Sequence, residues 1–166
     1  ALEKIGLIKK ETEKKLENST KINKRSIKLN ENQNTAINKI LDSINTNSVF
    51  LLDGITGSGK TEVYMSVMES VIKSKKQCLV LLPEIGLTPQ LIQRFKNRFK
   101  VHMAIQHSGL SDSERLKYWQ DAKTGKAKII LGTRSAVWTP LLNPGIYIVD
   151  EEHDLSYKQR SGFQYS

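Results

Sequence analysis

A glycine-rich octapeptide has the composition of a phosphate-binding loop. It reads Gly-Ile-Thr-Gly-Ser-Gly-Lys-Thr over residues 54–61 and fits the pattern G-x-x-x-x-G-K-[ST] without a gap. Glycines let the backbone turn its N–H groups toward phosphate oxygens, Lys60 supplies a charge for the β- and γ-phosphates, and the Thr61 hydroxyl suits Mg²⁺. The predicted nucleotide-binding residues of this loop are Gly54, Thr56, Gly57, Ser58, Gly59, Lys60 and Thr61.

A second candidate site is the acidic run Asp150-Glu151-Glu152-His153, which directly follows the apolar segment 146–149. Acidic residues at the carboxyl end of a parallel strand lie where such sheets bind ligands. We predict that Asp150 holds Mg²⁺ and that Glu151 orients and deprotonates an attacking water, with Lys60 completing the catalytic set. An acidic run alone is more often a solvated loop, but its pairing with the glycine-rich loop favours a nucleoside triphosphatase.

The elements that must position these residues alternate along the chain from Leu29 onward. Strands are predicted at 49–52, 78–82, 101–105, 128–131 and 146–149, and helices at 30–44, 60–72, 88–99 and 111–122. Two helices begin with capping boxes, Asn30 with Gln33 and Ser111 with Glu114, and the pair Leu116 and Trp119 is expected in the core. Short connections between alternating strands and helices predict an α/β fold with a parallel sheet flanked by helices on both faces.

Charge and composition indicate which partners, covalent links and membrane segments can be expected of this protein. The net charge is +9, of which +5 falls in residues 1–28, where nine Lys and Arg face four Glu. This excess suits a polyanionic partner, but charge alone favours a solvated Lys-rich linker, so it is only a hint about partners. Cys78 is the single cysteine, so neither an intrachain disulfide nor a cysteine zinc site is possible, and a cytoplasmic protein is expected. No apolar stretch approaches the roughly 20 residues that span a membrane.

Five blocks of the sequence resemble the primosomal protein N′ (PriA) family of superfamily 2 replication-restart DNA helicases. They are residues 54–62, 82–90, 107–111, 132–136 and 149–159. The block 82–90 resembles helicase motif Ia, 132–136 resembles motif Ib, and Asp-Glu-Glu-His is a form of motif II. The resemblance implies a RecA-like P-loop NTPase lobe, the first of two helicase lobes.

The resemblance also implies a domain organisation. Residues 1–9 resemble the end of a winged-helix domain, 10–28 form a basic polar linker, and 29–166 form the first helicase lobe. That lobe is expected to be truncated before the strand that carries motif III. In related motors this strand lies between the phosphate-loop strand and the motif II strand, so we expect a gap in the sheet and unpaired backbone groups along it.

Several site residues are carried over from the family. Gln33 resembles the glutamine that reads adenine, with helix capping as an alternative role, and His153 resembles the residue that couples nucleotide state to DNA contact. The residues expected to contact DNA are Thr88, Gln90, Thr133, Arg134, Ser135, Tyr157 and Lys158. Arg134 could instead form a structural ion pair. Tyr157, Phe163 and Tyr165 resemble an aromatic loop that senses single-stranded DNA, with core packing as the alternative.

The activity implied for the full-length protein is ATP- and Mg²⁺-dependent 3′→5′ DNA unwinding in replication fork restart and primosome assembly. Expected partners are single-stranded and forked DNA, other restart proteins and single-strand-binding proteins, with no membrane. Zinc is expected only in the full-length protein. The alternatives are another superfamily 2 translocase, or a fragment that binds nucleotide or DNA without turnover. The fragment by itself is expected to be inactive and marginally stable.

Overall fold

The computed structural model describes residues 21–22 and 29–158. The expected winged-helix end at residues 1–9, most of the predicted linker, and Phe163 and Tyr165 lie outside these described residues. The helices and strands are β1 (Lys21–Ile22), α1 (Glu31–Asp42), α2 (Lys60–Lys73), β2 (Gln77–Leu81), α3 (Pro89–Arg98), β3 (Phe99–Lys100), β4 (Met103–Gln106), α4 (Asp112–Lys123), β5 (Ile129–Gly132) and β6 (Pro144–Val149). Short 3₁₀ turns lie at Glu84–Gly86, Arg134–Trp138 and Leu155–Tyr157.

Four strands form a parallel sheet in the order β4-β5-β2-β6. Leu81 at the end of β2 pairs in register with Gly132 of β5 and with Val149 of β6. Gln106 of β4 pairs with Gly132 as well. Because the strands are parallel and in register, the loops that follow all four of them leave from one edge of the sheet.

Helices cover both faces of this sheet, so the predicted α/β class is confirmed. One face packs against α1, α2 and α3 through a core that contains Met65, Met68, Phe95 and Phe99, each at most 1% exposed. The other face packs against α4 through small residues such as Ala104 and Ala122. The β-strands supply apolar residues to both cores alternately, as expected for strands buried on both sides.

The helix ends follow the predicted capping chemistry. At α1, Gln33 N–H donates to the Asn30 side chain at 2.8 Å and Asn30 N–H donates to the Gln33 side chain at 2.9 Å. At α4, Ser111 and Glu114 form the second capping box. These reciprocal bonds satisfy N–H groups that have no partner within the helix.

The predicted strand at Val49–Leu52 is wrong. Residues 47–55 carry no strand, and Val49 and Leu51 are 99% and 80% exposed. A short extended segment needs a neighbour for its backbone N–H and C=O groups, and none of the described strands pairs with it. Within the described residues β6 pairs only with β2, so its other edge is open, as expected for a sheet without the intervening strand.

Two smaller expectations also differ from the structure. Within the stretch predicted as a linker, β1 pairs antiparallel with β3, so part of it is structured. Leu116 and Trp119 were expected in the core but are 56% and 37% exposed. The buried residues of α4 are Asp121 and Ala122, and Ala122 packs in the same core as Leu79, Ala104 and Ile130 of the sheet.

The open edge of β6 generates a prediction about association. Unpaired backbone groups beside exposed apolar side chains favour pairing with a second chain. We therefore expect light scattering from the purified chain to rise steeply with concentration, and Tyr147→Lys on β6 to reduce that rise because a charge disfavours edge pairing. Leu116→Lys is the matched control, since Leu116 is 56% exposed against 60% for Tyr147 but lies on α4. Equal effects of the two substitutions would contradict association through β6.

Candidate nucleotide-binding and catalytic site

A cavity of about 270 Å³ lies at the carboxyl edge of the sheet. Its lining residues are Thr56, Gly57, Ser58, Gly59, Lys60, Thr61, Arg94, Asp150 and Glu151. The phosphate loop and the acidic run, which are separated by about ninety residues in the sequence, therefore share one cavity. All three predicted catalytic residues line it.

Positive φ angles shape the phosphate loop. Gly57 and Gly59 have φ of 82° and 86°, in the left-handed region that side chains with a Cβ adopt only at a cost. Gly59 is the N-cap of α2 and provides no side chain to cap the helix. The backbone N–H groups at the start of α2 are consequently left for a ligand, and the helix dipole favours an anion there.

The Lys60 ammonium group lies inside the loop. It donates to the carbonyl oxygens of Gly54 at 2.5 Å and Ile55 at 3.3 Å. These bonds hold the cation at the centre of the curled backbone. An ammonium group has three donors, so one N–H beyond these two bonds is available to a bound phosphate.

Gln33 connects α1 to the phosphate loop. Its side-chain oxygen accepts the Asn30 N–H of the capping box, and its Nε2 donates to the Ser58 carbonyl at 2.9 Å. The capping role is therefore confirmed, and the amide has a second role in supporting the loop. Adenine recognition by Gln33 stays a prediction, and the amide has one further N–H and one further oxygen lone pair beyond these two bonds.

Asp150 is held from three sides at the end of β6. Its N–H donates to the Leu81 carbonyl at 3.0 Å, and its own carbonyl accepts the Tyr157 hydroxyl at 2.7 Å. The Tyr64 hydroxyl donates to Asp150 Oδ2 at 3.1 Å, which joins α2 to the acidic run. Burial raises the pKa of Asp150, and the neighbouring Glu151 charge adds to this, while the Tyr64 hydrogen bond and the Lys60 charge oppose it.

Glu151 has an unusual backbone conformation. Its φ is 50°, in the left-handed region, where a residue with a Cβ is disfavoured by about 1 kcal/mol. Its N–H donates to Asp150 Oδ1 at 3.1 Å, and its side chain lies 3.4 Å from His153 Nε2. The other ring nitrogen of His153 lies 3.5 Å from Glu152, so the exposed imidazole bridges the two glutamates. Its predicted coupling role stays a prediction.

The residues of the cavity fit a magnesium ion bound together with a nucleotide. The Thr61 hydroxyl and the Asp150 carboxylate are hard oxygen ligands, the type that Mg²⁺ prefers, and both line the cavity. Mg²⁺ usually binds through one or two protein groups plus phosphate oxygens. The desolvated state of Asp150, which raises its pKa, also favours a cation beside it.

The residues predicted to contact DNA lie on the loops that follow β2, β5 and β6. The Thr88 hydroxyl accepts the Leu91 N–H at 3.2 Å and thereby caps α3, while Gln90 is exposed on its first turn. After β5, Thr133 is 7% exposed, and Arg134 Nη1 donates to the Ser156 carbonyl at 3.4 Å. Of the other residues predicted to contact DNA, Ser135 and Lys158 are exposed and Tyr157 is half-buried.

These loops leave from the same edge of the sheet as the nucleotide cavity, because the strands before them are parallel and in register. The placement brings the predicted DNA residues to one side of the molecule. Tyr157 makes its hydroxyl contact within the protein, and Arg134 joins the motif Ib loop to the turn after motif II. Contact of any of these residues with DNA stays a prediction.

Sequence reasoning missed two residues of the site, Tyr64 and Arg94. Tyr64 lies one helical turn after Thr61 on α2, so helical spacing could have placed it on the same face. No local signal distinguishes Arg94 from the other basic residues of α3. Its position in the cavity follows from the packing of α3 against α2.

Comparison with known proteins relates this site to a family. The sequence profile described as DEAD/DEAH box helicase matches residues 30–165. The "Replication restart protein PriA" of Haemophilus influenzae is 52% identical over 137 residues, which are 82% of this chain and 19% of that protein. The protein of the same name from Bacillus subtilis is 44% identical over 133 residues, covering 79% of this chain and 16% of that protein. The protein of the same name from Synechocystis sp. is 52% identical over 109 residues, covering 66% of this chain and 13% of that protein.

The resemblance to the PriA family that the motifs indicate is thereby confirmed. This chain spans about a fifth or less of the length of these curated relatives. The matched part includes the phosphate loop and the acidic run.

The support that Gln33 gives to the phosphate loop can be measured at two glycines. Alanine at Gly57 meets no atom within 4 Å, so Gly57→Ala should cost only the left-handed strain, about 1 kcal/mol of unfolding free energy. Alanine at Gly59 would place its Cβ 2.4 Å from Gln33 Nε2, so Gly59→Ala should also lose the bond to Ser58, about 1 kcal/mol more.

The measurement is urea unfolding without nucleotide, in the wild-type and Gln33→Ala backgrounds. The additional loss at Gly59 should disappear when Gln33 is already alanine, whereas the loss at Gly57 should be the same in both. An unchanged difference between the two glycines in the Gln33→Ala background would show that Gln33 does not support the loop.

Proposed function

The chain belongs to the DEAD/DEAH box helicase family, and from that premise we propose that it is the ATP-binding portion of an ATP-dependent 3′→5′ DNA helicase that acts in replication restart. The family implies the use of ATP and Mg²⁺. The restart role rests on the similarity to one segment of proteins named "Replication restart protein PriA". Primosome assembly, as in the family that the motifs resemble, is part of the same proposal.

The observation that carries this proposal is the shared cavity. Lys60 and Thr61 of the phosphate loop line it together with Asp150 and Glu151 of the acidic run. Phosphate-binding N–H groups and a cation at one wall face carboxylates at the other. Neither wall is sufficient for hydrolysis. The end of β6 positions the carboxylates, and the packing of α2 against the sheet positions the phosphate loop beside them.

The chain's own residues can perform the steps of ATP hydrolysis. Loop N–H groups and Lys60 bind the β- and γ-phosphates, and Thr61 and Asp150 would hold Mg²⁺, which when bound neutralises charge on the phosphate oxygens. Glu151 accepts a proton from water as the water oxygen bonds to the γ-phosphorus and the bond to the ADP oxygen breaks. Tyr64 keeps the Asp150 carboxylate oriented toward the cavity.

DNA is proposed to bind along the loops at the same edge of the sheet. Main-chain and polar groups of the motif Ia and Ib loops suit the phosphates of one strand, and Tyr157 with Lys158 suits a base beside a phosphate. The proposed substrates are single-stranded and forked DNA. His153 bridges Glu151 and Glu152, where a change at the nucleotide could reach the turn Leu155–Tyr157 that follows.

The proposal includes properties of the whole protein. A zinc site elsewhere in it, other restart proteins and single-strand-binding proteins as partners are proposed from the family resemblance. In the described part of the chain, no helix combines the length and apolar character that a membrane crossing needs.

Two alternatives remain distinguishable by experiment. Another superfamily 2 translocase would share the cavity, but the similarity to PriA proteins across most of this chain favours the restart role. A fragment that binds without turnover would retain nucleotide affinity and release no phosphate. Phosphate release is measured with and without single-stranded DNA, for this chain and for the whole protein, and it separates turnover from binding alone. We expect turnover only in the whole protein.

Lys60→Ala in the whole protein is expected to abolish ATP hydrolysis and to leave DNA affinity within a few-fold of the wild type. The reason is that Lys60 lies inside the phosphate loop, away from the loops proposed to contact DNA. Phosphate release and fluorescence anisotropy with labelled single-stranded DNA measure the two effects. Near-normal phosphate release would refute the assignment of the loop.

Glu151→Gln keeps the size of the side chain and removes its ability to take a proton. ATP binding should persist, while turnover should fall by roughly 10²- to 10⁴-fold, the usual scale of general-base catalysis. Equilibrium binding and single-turnover hydrolysis are measured on the same protein. Loss of ATP binding in this variant would assign Glu151 to the metal instead.

A further inference from the structure

Among the described residues that line the cavity, Arg94 alone comes from neither the phosphate loop nor the acidic run. It lies on α3, the helix that follows the motif Ia loop. Its guanidinium group forms an ion pair with Glu62, the residue after Thr61, and its side chain is 48% exposed. A positive group therefore stands at the cavity and retains access to solvent.

The ion pair of Arg94 is exchangeable because Glu62 has a second partner. Arg98 donates to the other oxygen of Glu62 at 2.5 Å, and it is anchored further by Glu69 at 2.8 Å and Ser66 at 3.0 Å. The Arg98 side chain is only 14% exposed. If Arg94 moves away, Glu62 keeps its bond to Arg98, so no half-buried carboxylate is left unpaired.

The backbone of Arg94 is fixed by its neighbour Phe95. Phe95 is fully buried and its ring stacks on Tyr64, with the ring centroids 6.4 Å apart. Tyr64 is the residue that donates to Asp150. This aromatic contact and the bonds of Arg98 hold α3 against α2, while the Arg94 side chain remains partly exposed.

The charges of the cavity also favour a role for Arg94 with phosphates. Lys60 is a single cation opposite the carboxylates of Asp150 and Glu151, so without Arg94 the lining side chains carry a net negative charge. A magnesium complex of ATP is itself anionic. With Arg94 the lining becomes neutral, and the N-terminus of α2 then favours the phosphates. The planar guanidinium group, moreover, matches phosphate oxygens in pairs.

We propose that Arg94 binds the terminal phosphate of ATP by exchanging Glu62 for a γ-phosphate oxygen, which makes α3 a part of the nucleotide site. This inference rests on the proposed ATPase function and goes beyond it. Gln90, which ends the motif Ia block, lies on α3 one helical turn before Arg94, so the exchange links the nucleotide to residues proposed to contact DNA.

The test compares ATP and ADP binding in the whole protein, because ADP lacks the terminal phosphate. Arg94→Gln is expected to weaken ATP binding by roughly 10- to 100-fold, the scale of a charge-assisted hydrogen bond, and to change ADP binding less than two-fold. Lys96→Gln, an exposed charge on the same helix outside the cavity lining, is the matched control and should change neither.

Glu62→Gln distinguishes phosphate binding from a purely structural ion pair. If Arg94 serves the phosphate, this variant releases it, and ATP binding is retained or strengthened while Arg94→Gln weakens it. Equal weakening of ATP and ADP binding by both variants, with matching losses of melting temperature, would overturn the proposal. If Arg94→Gln does not fold, the ratio of ATP affinity to ADP affinity is measured in Arg94→Lys instead. A role in phosphate binding lowers this ratio, whereas a purely structural ion pair leaves it at the wild-type value.

Lys60→Ala, measured in parallel, separates failure of this proposal from failure of the proposed function. ATP hydrolysis at the wild-type rate in Lys60→Ala would remove the premise itself. Loss of hydrolysis in Lys60→Ala together with wild-type ATP and ADP affinities in Arg94→Gln would overturn the role of Arg94 alone.

Discussion

The parallel, in-register pairing of β2, β5 and β6 is the constraint on which the rest of the site depends. Leu81, Gly132 and Val149 end their strands side by side, so the segments after them must leave from one edge. Motif Ia, motif Ib and the acidic run reach that edge only because their strands are paired in this way. A slip of one residue would turn alternate side chains to the opposite face and remove Asp150 from the cavity.

A chain of contacts then joins the nucleotide site to α3. Tyr64 donates to Asp150 and stacks on Phe95, while Glu62 on the same helix holds Arg94 and Arg98. The helix that begins at the phosphate loop therefore positions both the carboxylate proposed to bind Mg²⁺ and the arginines of the neighbouring helix. A nucleotide that displaced any of these groups would act on a packed, continuous set of side chains rather than on an isolated loop.

Residues 49–52 show that a sequence typical of a strand forms no strand when no neighbouring strand pairs with it. Residues 49–52 are as apolar as a buried strand, yet Val49, Phe50 and Leu51 are exposed and Leu52 is only partly buried. A strand is stabilised by hydrogen bonds to a neighbour, and no described strand pairs with this segment. The phosphate loop keeps its curled shape in spite of this. Its shape is maintained from the other side, by α2, by the Lys60 ammonium and by the Gln33 amide.

The sequence by itself determined the features that depend on short-range chemistry. The glycine pattern of the phosphate loop, both capping boxes, the alternation of strands and helices, and the acidic run after β6 could all be predicted because neighbouring residues specify them. Only the tertiary structure decided that residues 49–52 form no strand, that Trp119 stays partly exposed, and that Arg94 belongs to the site, whereas helical spacing already places Tyr64 on the same face of α2 as Thr61. Each of these outcomes depends on a partner distant in the sequence. Hydrogen bonding and packing between distant segments produce no periodic pattern in the sequence of either segment.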